Sequence, residues 1–321
     1  MEVFISQDGC ALYKSAELLV VATKNEKLEY SYRDISSILI SGNVRITTGF
    51  LREAIENNID IVILDKYGYP KGRFWSTGVS TLSKIRKGQL LCSKSSLGLE
   101  ISKRWIEEKA LNMNSHISDL TKQENLLDII RFQENLKNNC DLNSIRGFEG
   151  NISKTYFSIV SQVLPKQFQF SKRSFRPALD EFNALVNYFL GILYNRIEKS
   201  SLIAGIDPNL GFFHRDDYNR PSFVFDFIEK YRYIAYVSAT KFFRANKVRK
   251  SYFIVENNTF FLNDEGKKNL VPLYYNELNK LVTFKGKKIK TIDKIQQDLF
   301  EVAKYFVNIT EEVDQNVLDT V

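Results

Sequence analysis

Two carboxylates, Asp226 and Glu229, sit in one of the most apolar stretches of the chain, among Phe223, Val224, Phe225, Phe227, Ile228 and Tyr231. Just before them stands His214, one of only two histidines in 321 residues. Pro221 suits the first turn of a helix and Asn219 could cap it, so a helix is expected over 221–238. Three helical steps leave the two carboxylates roughly 60° apart and about 4.5 Å along the axis, on one face. Like charges so placed repel, and burying either without compensation costs several kcal/mol. Something cationic must lie beside them. Ion pairing with Lys230, Arg232 or a distant arginine is one answer. The other is a divalent metal, with neutral His214 as an added nitrogen ligand from the preceding loop. Carboxylates and imidazole without cysteine favour Mn2+ or Mg2+ over structural zinc.

A metal needs a further protein ligand, and "NSIRGFEGNISKTYFSIVSQVL" offers Glu149, between Gly147 and Gly150 at the entrance to an apolar-periodic helix. Small neighbours let a backbone or a bulky substrate approach the carboxylate. The competing reading is a helix N-terminal acid interacting with the macrodipole. The second histidine, His116, has no comparable surroundings and reads as a surface helix residue. No G-x-x-x-x-G-K-[ST] phosphate loop, G-x-S-x-G elbow or H-E-x-x-H motif occurs.

The elements that must position these groups fall into two sets. Residues up to about 80 hold short apolar runs, "EVFIS", "CALYK", "ELLVVAT", "DISSILIS" and "NVRIT", separated by turn residues. "TTGFLREAIENN" reads as a short helix capped by Thr47 or Thr48, and "IDIVIL" as a buried strand with a further extended piece after it. From about residue 82 the apolar spacing changes to three and four, in "LGLEISKRWIEEKALNMNSHISDL", "EFNALVNYFLGILYNRIEKS" and "IDKIQQDLFEVAKYFVNIT". Hairpin signals largely vanish there except around "FIVENNTFFLNDEGKKNL". The expected fold is α+β, with a β-rich domain over 1–82 and a mostly α-helical domain over 83–321.

Hydrophobic content of 44% and aromatic content of 13% fit a folded chain. The net charge of +7, from 45 Lys+Arg against 38 Asp+Glu, suits a polyanion partner. Basic residues recur with aromatics around Lys172, Arg173 and Arg176, and around Lys241 and Arg244. Lys84 and Arg86 add a third group. Each group reads either as a solvated face or as a contact to nucleic-acid phosphates. Cys10, Cys92 and Cys140 are too scattered for a zinc ribbon or a disulfide framework, and packing in a reducing compartment is expected of them. The N-terminus lacks a signal-peptide core, and no run approaches the ~18 apolar residues of a membrane span. A soluble, cytoplasmic protein is expected.

In order and spacing, "RGFEGNISKTYF", "KRSFRPALDEFNALVNYFLGILY", "GIDPNLGFFH" and "RPSFVFDFIEKYR" resemble the motifs of the CRISPR adaptation integrase. "SGNVRITTGFLREAIENNIDIVILDKYGYPKGRF" resembles that family's β-domain. The resemblance implies an N-terminal β-domain, a helical catalytic domain and a homodimer formed largely through the N-terminal domains. It implies Mg2+ or Mn2+ held by Glu149, His214 and Glu229, with Asp226 close by and catalytically important. It implies a small ferredoxin-like partner subunit bridging two dimers. The implied substrates are prespacer DNA with free 3′ ends and the leader–repeat junction of a CRISPR array. Tyr233 and Val237 stand where the family often has a proline and an aspartate.

Overall fold

A computed structural model describes residues 2–23, 26–35, 37–57, 59–65, 70–74, 81–138, 141–214 and 221–318. Two compact units result, Met1–Ser80 and Thr81–Val321. The fold is α+β, strands first and helices after.

The first unit runs β1 (Glu2–Ile5), β2 (Ala11–Ser15), β3 (Leu18–Ala22), β4 (Lys27–Ser31), a 3-10 turn at Tyr32–Asp34, β5 (Ser37–Ile40), β6 (Arg45–Ile46), α1 (Thr48–Glu56), β7 (Asp60–Leu64) and β8 (Pro70–Phe74). One sheet has the order β1-β5-β7-β8, parallel except for β8, and the other has the order β4-β3-β2-β6. Alternation sets the faces: Val3 and Ile5 enter the core while Phe4 points out. They meet Leu12, Leu19, Ile38, Ile40 and Ile61 from the strands, with Phe50 and Ala54 from the inner face of α1. Thr47 caps α1 by accepting from the Phe50 N–H at 3.3 Å. β7, a central strand, reads as the continuous run Asp-Ile-Val-Ile-Leu. Its buried Asp60 pairs with Arg73 of β8 at 3.1 Å. The sequence reading missed β4, an edge strand with a mostly exposed, charged pattern that gives no apolar run.

The second unit runs α2 (Leu82–Ser93), α3 (Ser96–Thr121), α4 (Ile129–Asn138), α5 (Leu142–Val163), α6 (Glu181–Ile203), α7 (Ser222–Phe227), a 3-10 turn at Ile228–Tyr231 and α8 (Arg232–Arg244). There follow β9 (Phe253–Glu256), β10 (Thr259–Leu262), α9 (Asp264–Leu278), β11 (Leu281–Phe284), β12 (Lys287–Lys290) and α10 (Thr291–Leu318). The three long periodic segments are α3, α6 and α10. β9–β10 is the expected hairpin, and β11–β12 is a second one the sequence reading did not anticipate. Its turn is Lys285-Gly286, both with positive φ (47° and 79°), as tight hairpin turns need. The expected continuous helix over 221–238 is not formed, because the 3-10 turn interrupts it between α7 and α8. Its proposed cap, Asn219, lies outside the described residues.

Two packing contacts set α3 against the elements that carry the carboxylates. α3 lies along α5, and Trp105 of α3 meets Phe223 and Phe227 of α7 edge to face, with ring centroids 6.0 and 5.2 Å apart. Cys10 and Cys92 are buried free thiols, and Cys140 lies outside the described residues. Among the described residues no helix is long and apolar enough to cross a membrane.

Candidate active site

Asp226 comes from α7 and is 2% exposed. Its Oδ2 accepts from the backbone N–H groups of Phe212 (2.5 Å) and Phe213 (2.9 Å). Its Oδ1 accepts from the backbone N–H of His214 (2.9 Å) and from ring Nδ1 of the same residue (2.6 Å). A carboxylate can only accept, so ring Nδ1 carries a proton towards Asp226, and in the neutral imidazole Nε2 is then the acceptor nitrogen. The loop can approach so closely because Gly211 has no side chain. A Cβ there would lie 2.8 Å from Asp226 Oδ2. Arg146, four residues after the start of α5, donates to the Phe213 carbonyl and covers the Phe213 ring at 5.0 Å. His214 is thus held from both sides, with about a third of its side chain exposed.

Glu149 lies two turns inside α5, whose cap is Asp141 accepting from the Ser144 N–H at 2.8 Å. It is neither at the helix entrance nor in reach of the macrodipole, which fades within the first turn. The sequence reading is corrected on that point. Ile145, Ile152 and Tyr156 are buried at helical spacing from Glu149, so its stripe faces α3. There Glu149 accepts from Lys109 Nζ and, at 2.8 Å, from Ser153 Oγ. The same Lys109 ammonium donates to Glu229 Oε2 at 2.7 Å. Arg232 pairs with Glu229 Oε1 at 2.8 Å and donates to Tyr194 Oη at 2.8 Å. Glu229 therefore does pair with Arg232, but its second cation is a lysine from α3. Lys230 turns to Glu108 and Asp298 instead.

Burial alone would push the Glu149 carboxyl up. The Lys109 charge and hydrogen bond, with smaller help from Ser153 and Arg232, outweigh it and bring the pKa down to about 2. Burial likewise works against the charge on Lys109, and Glu149 and Glu229 together reverse it, raising its pKa. Buried Lys109 and Glu229 with half-buried Glu149 and Arg232 make a set with no net charge. Removing one member of such a set costs roughly 3–5 kcal/mol.

The four predicted residues thus form two adjoining groups, Asp226 with His214 and Glu149 with Glu229, joined by the short step from 226 to 229. Among the described residues Asp226 and Glu229 have different partners. Among the described residues no three His, Cys, Asp or Glu side chains are drawn together as a ready metal cluster. The donor chemistry nevertheless fits a hard divalent cation. Glu149 and Glu229 already converge on one positive charge, supplied by Lys109, and a neutral His214 on the adjoining loop offers an Nε2 lone pair.

The basic residues are placed differently from one another. Lys84 and Arg86 are exposed on α2, with Lys84 paired to Glu311 at 2.7 Å. Lys172 and Arg176 are exposed before α6, the Arg176 guanidinium lying over the Phe175 ring. Arg173 turns inward, donating to the side-chain oxygens of Asn183 (2.8 Å) and Asn187 and covering the Phe157 ring. Lys241, paired with Glu277 at 2.6 Å, and Arg244 are exposed on the last turn of α8. His116 is not the expected surface residue. It lies on the inner stripe of α3, 9% exposed, with Nδ1 2.6 Å from Tyr156 Oη, and burial lowers its pKa to about 4.

Sequence reasoning missed Lys109. The signal was present: Lys109 follows Trp105 by four residues and Ile106 by three, inside the stripe continued by Met113 and Ile117. A lysine in such a stripe requires a buried anion.

The family profile described as "CRISPR associated protein Cas1" matches residues 3–276. A CRISPR-associated endonuclease Cas1 of Mycobacterium tuberculosis is 26% identical over 224 residues, covering 68% of this chain. The matched stretch spans 66% of that relative's length. A solved casposase bound to its integration product superposes with a TM-score of 0.82 at 25% identity, over 96% of this chain and 90% of the casposase. A Cas1 protein from Thermotoga maritima shares the fold, with a TM-score of 0.82 at 19% identity over 96% and 97% of the two chains.

Proposed function

The chain belongs to the CRISPR associated protein Cas1 family, and from that premise we propose that it is a metal-dependent DNA endonuclease and integrase that inserts new spacers into a CRISPR array. The observation that carries this reading is the convergence of Glu149 and Glu229 on one buried positive charge, together with the Asp226 contact to Nδ1 of His214, which in the neutral ring makes Nε2 the acceptor nitrogen.

Mg2+ or Mn2+, when bound by Glu149, His214 and Glu229, supplies Lewis-acid stabilisation of the charge that develops on a phosphate under attack. Asp226 keeps the His214 proton on Nδ1 and fixes the direction of the ring. Arg232, clamped between Glu229 and Tyr194 Oη, holds the Glu229 carboxylate in place. A DNA 3′-hydroxyl as nucleophile gives strand transfer at the leader–repeat junction, and water as nucleophile gives cleavage. Exposed Lys84, Arg86, Lys172, Arg176, Lys241 and Arg244 hold the DNA backbone through phosphate contacts with little sequence preference. The protein works as a cytoplasmic homodimer with the small ferredoxin-like partner subunit that the family resemblance implies.

The test is strand transfer from a prespacer with free 3′ ends into a supercoiled array plasmid, with Mn2+ or Mg2+. Glu149→Ala, His214→Ala and Glu229→Ala should each abolish it. If all three variants transferred strands as well as the wild type, the site would be misassigned. The likeness to casposase favours one second reading, a transposon-encoded integrase of the same chemistry. Integration confined to leader–repeat junctions supports the adaptation reading, and equal integration at unrelated targets supports the transposon reading.

A further inference from the structure

Lys109 is 3% exposed and donates to Glu149, on α5, and to Glu229, on the turn after α7. Arg232 completes the set, so Glu149, Glu229, Lys109 and Arg232 balance at zero net charge. A divalent ion drawn to the two carboxylates would leave this largely enclosed group with two uncompensated positive charges, which is costly at low solvent exposure. Withdrawal of one cation halves that excess.

The two cations differ in how they are tied. Arg232 has a second anchor in Tyr194 Oη and a planar fork that fixes its direction. Lys109 is held by the carboxylates on a flexible four-carbon stem. Glu149 keeps about a quarter of its side chain open to solvent, so the set is open at the carboxylate that Lys109 contacts. An entering DNA phosphate brings a negative charge and an acceptor for an ammonium to that side.

We propose that Lys109 is an internal counter-cation that occupies the Glu149–Glu229 pair in the DNA-free protein, competes there with a divalent ion, and is released to a phosphate of the incoming DNA. Metal and DNA then bind cooperatively: each removes a cost that the other would otherwise meet, and by linkage the effect is reciprocal. This inference rests on the metal site proposed above, and the experiment separates the two.

Mn2+ binding to the full chain is measured by the EPR signal of free Mn2+, with and without a short duplex carrying 3′-hydroxyl ends. In the wild type, DNA should tighten Mn2+ binding about tenfold, the scale of one charge-assisted contact. Lys109→Met and Lys109→Gln should each bind Mn2+ about tenfold more tightly without DNA, and the gain from DNA should shrink towards none. Should either variant be unstable without metal, the Mn2+-dependent rise in its Tm gives the same information. A rise larger than in the wild type supports the proposal, and an equal or smaller one overturns it. The proposal also fails if both variants bind DNA-free Mn2+ no more tightly than the wild type, or if the gain from DNA is undiminished. Glu149→Ala is the control for the site itself. If it binds Mn2+ as the wild type does, the metal-site reading fails; if it loses Mn2+ while the Lys109 variants do not tighten, only the counter-cation inference fails.

Discussion

Asp226→Asn is the sharpest probe of how the loop is built. The native carboxylate receives four donors, two on each oxygen, from Phe212, Phe213 and His214. Asparagine keeps one acceptor oxygen and replaces the other with an NH2 group that cannot accept. If the amide oxygen faces Phe212 and Phe213, the NH2 confronts the His214 N–H and Nδ1–H. The ring can answer only by moving its proton to Nε2, so that Nδ1 accepts. That is the wrong tautomer for a metal ligand, because the exposed nitrogen becomes a donor. If the amide is reversed, two backbone N–H groups lose their acceptor at a position 2% exposed. The first orientation loses one charge-assisted hydrogen bond and the second loses two, at roughly 1.5–3 kcal/mol each, giving about 1.5–6 kcal/mol. That is a large share of a typical 5–15 kcal/mol folding stability and a fall in Tm on the order of 10 °C. Second-layer changes of this kind weaken metal affinity by about 10–100-fold. Urea unfolding gives the stability term, Mn2+ titration of strand transfer gives the affinity term, and 15N chemical shifts of the His214 ring report its tautomer. An Asp226→Asn protein with wild-type Mn2+ dependence and an unprotonated Nε2 would refute the reasoning.

Two further outcomes separate structural from DNA-contacting roles and isolate one titration. Arg176→Gln and Lys172→Gln should each reduce the salt slope of DNA binding by about one, with Tm little changed. Arg173→Gln should lower Tm by several degrees, because Asn183 and Asn187 lose a buried partner, and should leave the salt slope where it was. A slope change for Arg173→Gln equal to that of Arg176→Gln would reverse this assignment. His116 has a folded pKa of about 4 against 6.5 for the free group. Below pH 6.5 the unfolded chain therefore takes up a proton that the folded chain refuses, and stability falls as pH drops towards 4. Glu149, depressed from 4.5 to about 2, keeps its contribution above pH 4.5 and loses it below, so the interval from 4.5 to 6.5 reports on His116. His116→Gln should flatten urea midpoints across that interval, and an unchanged slope would place the acid sensitivity elsewhere.

One physical difference separates the features legible in the sequence from those hidden in it. Periodicity is a local property, so α3, α6 and α10, the alternating Val3–Phe4–Ile5 and the Thr47 cap could be read from neighbouring residues alone. Partnership across elements is not local. Asp226 and Glu229 were visible as buried charges, and spacing alone put them on one face with a cation needed beside them. In the fold the 3-10 turn at Ile228–Tyr231 separates their tasks: Asp226 serves the loop of His214, and Glu229 serves Lys109 and Arg232. His116 and Lys109 are hidden for the same reason. They lie seven residues apart on one inner stripe of α3, and each finds its partner on α5: Tyr156 for the histidine and Glu149 for the lysine. Partners 40 residues away leave no mark in a local window. What does leave a mark is the misfit itself, a charged or titratable residue where the helical stripe demands an apolar one. Glu149, between Ile145 and Ile152 in the stripe of α5, shows the same misfit as Lys109 in the stripe of α3. Two such misfits of opposite sign on helices that pack together amount to a prediction of contact, and α3 and α5 meet that expectation at the ammonium of Lys109.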